Sequence, residues 1–395
     1  MSGYLYEVTT RDEVLELFAD AEFDLVRITT AEPLKDAFVA ASSAFEQGNL
    51  TGLHWMDADW IARASDPTAF LEGARSVILA GISAHAADPV VDDLEVTRGR
   101  IARYARGRDY HRIFEKKLRR IANVIKSDFS AMARSTVDYG PLLERSFAMR
   151  AGLGWLGKST MLLAPGFGPW LLLGAVVTSL NLDPDEELKK SCGSCTRCIT
   201  ACPTGAIDVD GGVLDSRLCI SYHTIENRGI IPYDLRSKFG DWIFGCDICL
   251  DSCPVGSKTN FAYPDTIPVS IESAMPALIP LLSLDEESFR RQFRGSAVSR
   301  ATRDGLIRNT CIALGNVGVP GDLESLGTAL KDNSALVRGH AVWAIARIIS
   351  RFDLPETYKE VLSVQLSFET DAFVRDELIQ AFEMLTSGEK RGLNK

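Results

Sequence analysis

The run Cys192-Gly-Ser-Cys195-Thr-Arg-Cys198-Ile-Thr-Ala-Cys202-Pro203 sets the reading of this chain. Its spacing, C-x2-C-x2-C-x3-C-P, is the bacterial ferredoxin pattern, in which three thiolates hold one iron–sulfur cluster and the fourth ligates a second. Close spacing lets one short segment wrap three corners of a cube, and the proline turns the chain away. Zinc sites also use C-x2-C units, but in two-plus-two arrangements rather than three close cysteines and a fourth. A partner run lies downstream: Cys246, Cys249 and Cys253-Pro254, which is one cysteine short of a second motif. Two cubane clusters need eight thiolates, and Cys219, between the runs, completes that number. Ferredoxin crossing then assigns one 4Fe-4S cluster to Cys192, Cys195, Cys198 and Cys253, and the other to Cys202, Cys219, Cys246 and Cys249. The remaining cysteine, Cys311, stands in the helical apolar context Asn309-Thr-Cys-Ile-Ala-Leu314 and reads as core.

Around this centre, 395 residues allow two to three domains. A 46% hydrophobic and 24% charged composition is that of a globular protein. The net charge of −10 means that any nucleic-acid binding must use a local basic patch. Met1 to Glu16 is polar and acidic, without the apolar core of a signal peptide. The longest apolar runs, such as Trp170 to Val177, fall well short of the ~18 residues of a membrane span. With cysteines spaced for metal, the expected compartment is the reducing cytoplasm.

Three domains are expected. Residues 1–183 read as α/β: a short helix at Arg11–Ala21, buried strands at Phe23–Thr29 and Ser76–Ala84, and a helical stretch from Leu34 to Trp60 broken at Gly48-Asn49. A long basic amphipathic helix region follows at Ile101–Phe129. Thr160–Ala164 and Trp170–Ser179 read as a strand pair joined at Pro165-Gly-Phe-Gly-Pro169. Residues 184–265 hold the cluster cysteines in a ferredoxin-like domain. Residues 266–395 are helical, with similar helix starts at Gly305-Leu-Ile-Arg308, Leu336-Val-Arg338 and Phe373-Val-Arg375, a degenerate repeat of HEAT-like character. Arg290, Arg291, Arg294, Arg300, Arg303 and Arg308 crowd its start with Asp304 as the only acid between 290 and 308, which marks a candidate phosphate-binding patch.

In the first domain, Val137-Asp138-Tyr-Gly-Pro141, Glu144-Arg145 and Ala151-Gly-Leu-Gly-Trp155-Leu-Gly157-Lys158 form a dense cluster of motifs. The glycines imitate a dinucleotide fingerprint but lack the strand that should precede it; a helix, Pro141–Arg150, stands there instead. They read better as a loop that lets a flat ligand approach the backbone. Together with Ala102-Arg-Tyr104, Asp109-Tyr-His111, the ferredoxin runs and Cys219-Ile-Ser-Tyr-His-Thr-Ile-Glu226, these segments resemble epoxyqueuosine reductase over nearly the whole chain. That resemblance implies a cobalamin held by the first domain and the clusters. It also implies reduction of the epoxide in the queuosine precursor at the tRNA wobble position, with Asp138 as catalytic acid. Cofactor contacts carried over by the resemblance fall on Arg63, Arg103, Asp138, Ser221, Arg228, Cys246 and Asp247. One departure is Val255-Gly256 after Cys253-Pro254, where the family more usually has an aromatic. The chemistry is coherent: low-potential clusters feed a strongly reducing acceptor, and a desolvated carboxylic acid supplies a proton to the opening oxygen. Taken alone, Asp-Tyr-Gly-Pro is a turn signature.

His111 reads as a helix-face residue rather than an axial cobalt ligand, and His223 as a satisfied, partly buried histidine. The helical domain is expected to bind tRNA through Arg294, Arg300 and Arg303. An external low-potential electron donor and a monomeric protein are expected. The competing reading is a small-molecule reductase of the reductive-dehalogenase kind, which should carry a twin-arginine export signal and has no use for an RNA-binding helical domain. A simple electron carrier leaves the first domain without work, and a HEAT scaffold with one structural cluster does not need eight thiolates. Anaerobic protein should therefore contain about eight irons. Cys219→Ala should damage one cluster only; full iron with an unchanged reduced EPR spectrum would remove Cys219 from the ligand set.

Overall fold

In the computed structural model, which describes residues 9–91, 96–257, 259 and 270–386, the strand expected at Ser76 lies in the middle of a sheet. The strands are β1 (Leu25–Thr30), β2 (Ser76–Ser83), β3 (Ala133–Thr136) and β4 (Leu171–Thr178), in the order β1-β2-β4-β3. Every pairing is antiparallel, with Val77 opposite Val177 and Leu79 opposite Ala175. Helices and strands are both present as expected, but no parallel crossover joins these strands. All eight residues of β2 are buried, because helices cover both faces; this explains its continuous apolar run.

The chain divides into two compact units, and each is assembled from separated segments. The first comprises residues 1–87, 108–217 and 247–267, and the second 88–107, 218–246 and 268–395. The cluster-bearing stretch is thus shared between the two, and the boundary expected at 265/266 lies outside the described residues.

In the first unit, α1 (Thr10–Asp20) is opened by a capping box between Thr9 and Asp12. Its Phe18 meets Phe23, which packs edge-on against Phe114 of α2 (Tyr110–Asp128). Phe114, Leu118, Ile121 and Ile125 recur at helical spacing and form the buried stripe of α2. Each is worth roughly 1.5–3 kcal/mol of burial. Gly174 of β4 permits this approach, since a Cβ there would meet Leu118 at 2.7 Å. The opposite sheet face is covered by α3 (Glu144–Arg150), whose Phe147 and Ala148 pack with Val77, Leu79, Leu173, Ala175 and Val177.

Two local expectations change. The segments around Pro165–Pro169 do not pair with each other as strands. Leu162–Leu163 folds back on Trp155–Leu156, Ala164 and Gly168 close the turn, and β4 enters the main sheet. The glycines before it serve the chain's own packing: a Cβ on Gly152 would lie 2.0 Å from the carbonyl oxygen of Glu186. The strand at Ala133–Thr136 was not legible, because it is a short edge strand with a partly exposed, polar middle.

In the second unit, α4 (Thr302–Val317), α5 (Ala335–Phe352) and α6 (Ala372–Thr386) lie side by side, with α4 against α5 and α5 against α6. The expected helix starts at 305, 336 and 373 all fall in their first turns. From Gly305 to Gly315, α4 is buried on every side. Its Arg308 has no exposed surface and, among the described residues, no carboxylate partner; it donates to the carbonyls of His223 (2.6 Å), Asn227 (2.8 Å) and Gly229 (2.7 Å). Asn309 adds bonds to the carbonyls of Thr224 and Ile243, both 2.9 Å. Burial, then the nearby guanidiniums of Arg228 and Arg236, pulls Arg308 down to about 9, still protonated at neutral pH. Arg308→Met strands these buried carbonyls and should destabilise the protein by on the order of 3–5 kcal/mol. Denaturant unfolding measures it; a change under about 1 kcal/mol would show that water or repacking replaces the guanidinium.

Candidate active site

Asp138 stands just past the end of β3 with φ of +51°, the left-handed region that few non-glycine residues adopt. The N–H of Tyr139 donates to the carbonyl of Val137 across it, giving a tight three-residue turn. Such a turn persists only when its surroundings hold it. Here they do. The Asp138 N–H donates to Glu144 Oε1 at 2.9 Å, from the first residue of α3. Its Oδ2 lies 3.0 Å from His111 Nε2, in the first turn of α2. His111 Nδ1 is 2.6 Å from Asp109 Oδ1, and the same oxygen caps α2 through the His111 backbone N–H at 3.1 Å.

This arrangement fixes proton positions. Burial disfavours a charged His111, but the hydrogen bonds and charges of Asp109 and Asp138 outweigh it and raise the imidazole to about 9. At neutral pH it is an imidazolium donating from both nitrogens. Burial and then the Asp138 charge push Glu144 up to about 8, so a second proton is held close to the turn. Tyr139, more than half exposed, extends beside His111 with ring centroids 5.7 Å apart. His111 is the candidate site residue that sequence reading took for an ordinary helix-face residue. Its signal was Asp109-x-His111 at a helix start, but the partner that gives it a role, Asp138, comes from another element.

The cysteines form the second centre. None of them is in a disulfide, and all eight expected ligands are partly accessible. In the first unit the short helices Arg197–Ala201 and Ile248–Asp251 pack together and bring the two runs to one place. Burial, then the charges of Cys192 and later Cys253, raises the Cys198 thiol; three of the four ligands expected for one cluster therefore lie within electrostatic reach. Cys202 goes the other way. Burial opposes ionisation, but bonds from Thr204 (3.5 Å) and the Ala206 N–H (3.3 Å) favour the thiolate. Among the described residues no three His, Cys, Asp or Glu groups converge to hold a single metal ion. Cubane ligands bind separate irons and stand farther apart than zinc ligands. Cys249 belongs to the first unit and Cys219 and Cys246 to the second; Cys311 is fully buried, its thiol raised chiefly by burial, as a core residue should be.

Comparison with known proteins follows the same pattern. Residues 191–256 match a family model described as a 4Fe-4S double cluster binding domain, and residues 64–139 one described as "Epoxyqueuosine reductase QueG, DUF1730". An epoxyqueuosine reductase of Xanthomonas campestris is 37% identical over 300 residues, covering 75% of this chain and 84% of the relative. That of Bacillus subtilis is 30% identical over 393 residues, covering 97% and 98%. The chain belongs to the epoxyqueuosine reductase family. A crystal structure of epoxyqueuosine reductase with an epoxyqueuosine-modified tRNA-Tyr stem loop superposes with a TM-score of 0.87 at 30% identity, covering 95% of this chain and 98% of that one. The Streptococcus thermophilus enzyme gives 0.85 at 27% identity, covering 94% and 98%.

Against this family frame, the residues implied by resemblance fall in both units. Arg63, exposed, and Asp247, buried, join Asp138 in the first; the Ala64 carbonyl accepts from the Leu143 N–H at 2.9 Å, which sets Arg63 near the start of α3. Arg103, Ser221, Arg228 and Cys246 lie in the second, with Arg103 buried on Asp88 at 3.0 Å. The arginines from 290 to 308 are not one free patch. Arg290 and Arg291 pair with Glu286 and Glu287 one turn back, and Arg303 is bound by Asp332 and Asp304. Arg300 meets Glu226 beside Arg228, Arg308 is buried, and Arg294 is exposed.

The His111 couple has a testable sign. Its pKa is raised, so its stabilisation is complete below the ordinary imidazole value near 6.5 and is lost as pH rises through about 9. NMR titration of the ring should give a midpoint near 9 that falls towards neutrality in Asp138→Asn. A midpoint near 6.5 in the unaltered protein would show that the couple does not form in solution.

Proposed function

We propose that this chain reduces the epoxide of epoxyqueuosine to give queuosine at the wobble position of tRNA, with cobalamin and two 4Fe-4S clusters as cofactors. The observation that carries the reading is the Asp138 turn, strained, braced by His111 and Glu144, in a chain of this family that also carries eight cluster-type cysteines. Removing an epoxide oxygen as water takes two electrons and two protons. Clusters on Cys192, Cys195, Cys198 and Cys253, and on Cys202, Cys219, Cys246 and Cys249, would pass single electrons from an external low-potential donor.

For cobalamin, the donor set fits a ligand rich in amides and carrying a phosphate. In the first unit Arg63 offers an exposed guanidinium and Asp247 lies at the edge of the cluster segment; in the second, Arg228 offers a guanidinium, Ser221 a hydroxyl and Cys246 a thiol, while Arg103 is held by Asp88. Cobalamin, when bound, would supply a strongly reducing cobalt nucleophile. The protein's own work is proton delivery. The charged His111 lies against it, so the first proton for the opening oxygen comes from the imidazolium through the Asp138 carboxyl group. This refines a simple desolvated acid into a relay, and the neutral tendency of Glu144 keeps a further proton behind the turn.

The helices of the second unit are read as HEAT-like pairs on which an anticodon stem can rest, with Arg294 and Arg300 meeting phosphate while Arg303 braces Asp332. Among the described residues no helix is long and apolar enough to cross a membrane; a monomeric cytoplasmic enzyme is the proposed setting. Asp138→Asn keeps the volume and removes the proton carrier. It should retain iron, cobalamin and tRNA yet lose about 10²–10⁴-fold in turnover. Turnover within a few-fold of the unaltered protein would remove Asp138 from the relay, and loss of cobalamin binding would make it a cofactor residue instead.

A further inference from the structure

The outer face of α2 has no part in the site so far described. Arg112, Lys116, Arg119, Arg120 and Lys126 are all exposed and, at 3.6 residues per turn, fall within about a third of the helix circumference. The buried stripe of Phe114, Leu118, Ile121 and Ile125 occupies the opposite side. Glu115, at one edge, pairs with Arg119, and Asp109 at the N-cap is engaged by His111 and lies within electrostatic reach of Arg112. Among the described residues no carboxylate lies within ion-pair distance of Arg112, Lys116, Arg120 or Lys126. In a chain of net charge −10 this is a marked local reversal of sign.

Packing cannot be the reason for it, because the stripe faces water, and helix stability alone would favour alternating charges over repeated cations at i, i+4. The face is also placed. Its N-terminal end is the turn that carries His111 and so adjoins Asp138. There Tyr139 is 58% exposed, and its hydroxyl is hydrogen-bonded to Glu115, which drives its pKa up after burial. An exposed aromatic ring beside a row of cations is the pairing by which proteins hold single-stranded nucleic acid: a base stacks on the ring and the backbone follows the charge.

We propose that the outer face of α2 is a track for the phosphate backbone of the substrate RNA, with Tyr139 as the stacking platform at its catalytic end. Nineteen residues of helix run about 28 Å. The track therefore meets several consecutive phosphates leading away from the nucleotide at Asp138. Arg112 and Lys116 lie nearest the site and Lys126 farthest. The contacts are to backbone, so they add affinity and orientation without reading sequence.

This inference rests on the RNA substrate proposed above, and the test separates the two. Holoenzyme and the triple variant Arg112→Glu/Lys116→Glu/Arg120→Glu are titrated with a fluorescent anticodon stem-loop at several salt concentrations. The variant should bind at least about tenfold more weakly at low salt, equally for modified and unmodified loops. Its plot of log affinity against log salt should flatten by about 2 units, as expected when some three phosphate contacts are lost from a single strand. Iron content and melting temperature should be unchanged, since all three side chains are exposed. Tyr139→Phe should bind as the unaltered protein does and Tyr139→Ala about tenfold more weakly. Unchanged affinity and salt slope in the triple variant, with tight binding by the unaltered holoenzyme, overturns the track and leaves the RNA substrate standing. Failure of the unaltered holoenzyme to bind the stem-loop at any salt overturns both.

Discussion

The strained turn at Asp138 can exist only because two helices on opposite faces of one sheet end at the same place. The α2 helix is fixed by its apolar stripe against β3 and β4, and α3 by Phe147 and Ala148 against the other face. Their N-terminal residues, His111 and Glu144, then reach the Asp138 side chain and backbone. Neither bond is strong by itself. What makes the conformation stable is that both helices are placed by burial worth far more than the ~1–3 kcal/mol of strain in the turn. The site is rigid because its supports are core residues.

The second unit solves a different problem with the same residue type. Arg236 forms a buried two-bond pair with Glu377 at 2.7 and 2.6 Å, and Arg338 meets Glu369 at 2.9 Å through each of two nitrogens. Arg308 uses carbonyl oxygens instead. Buried ion pairs of this kind contribute little net stability over apolar packing, but losing one partner is costly. They therefore enforce one arrangement of the helices around the segment 218–246. That is why a count of arginines in this region overstates the positive surface: much of the charge is already matched by the fold.

An acidic protein with a polyanionic substrate must concentrate cations where the substrate lies and keep repulsion elsewhere. The charges that remain outward after internal pairing are the relevant ones. On α2 they form a continuous row next to the candidate proton relay; near 290–308 they reduce chiefly to Arg294, since Arg300 is held by Glu226.

The sequence by itself determined the cluster chemistry, because ligand spacing in a short segment is a local property: three thiolates at x2 intervals have few other uses. It also determined the helices at Thr10–Asp20 and Ala335–Phe352, the central strand at Ser76 and the helix at Tyr110–Asp128, since burial periodicity and apolar runs are written along the chain. It did not determine the start of the last: the expected region from Ile101 opens with a strand at Arg100–Ile101 and a tight turn at Arg103–Ala105, and the helix begins only at the Asp109 cap. Tertiary structure decided what depends on distant residues. Gly152 and Gly154 make room for the chain's own backbone at Glu186 and Leu163, which no motif reveals. His111 changed from a surface histidine to a charged partner of Asp138 because two segments 27 positions apart meet. Arg303 and Arg308 changed from a phosphate patch to internal braces because Asp332 and the carbonyls of 223–229 come to them. Local spacing shows what a residue can bind; only the fold decides whether another part of the chain has already bound it.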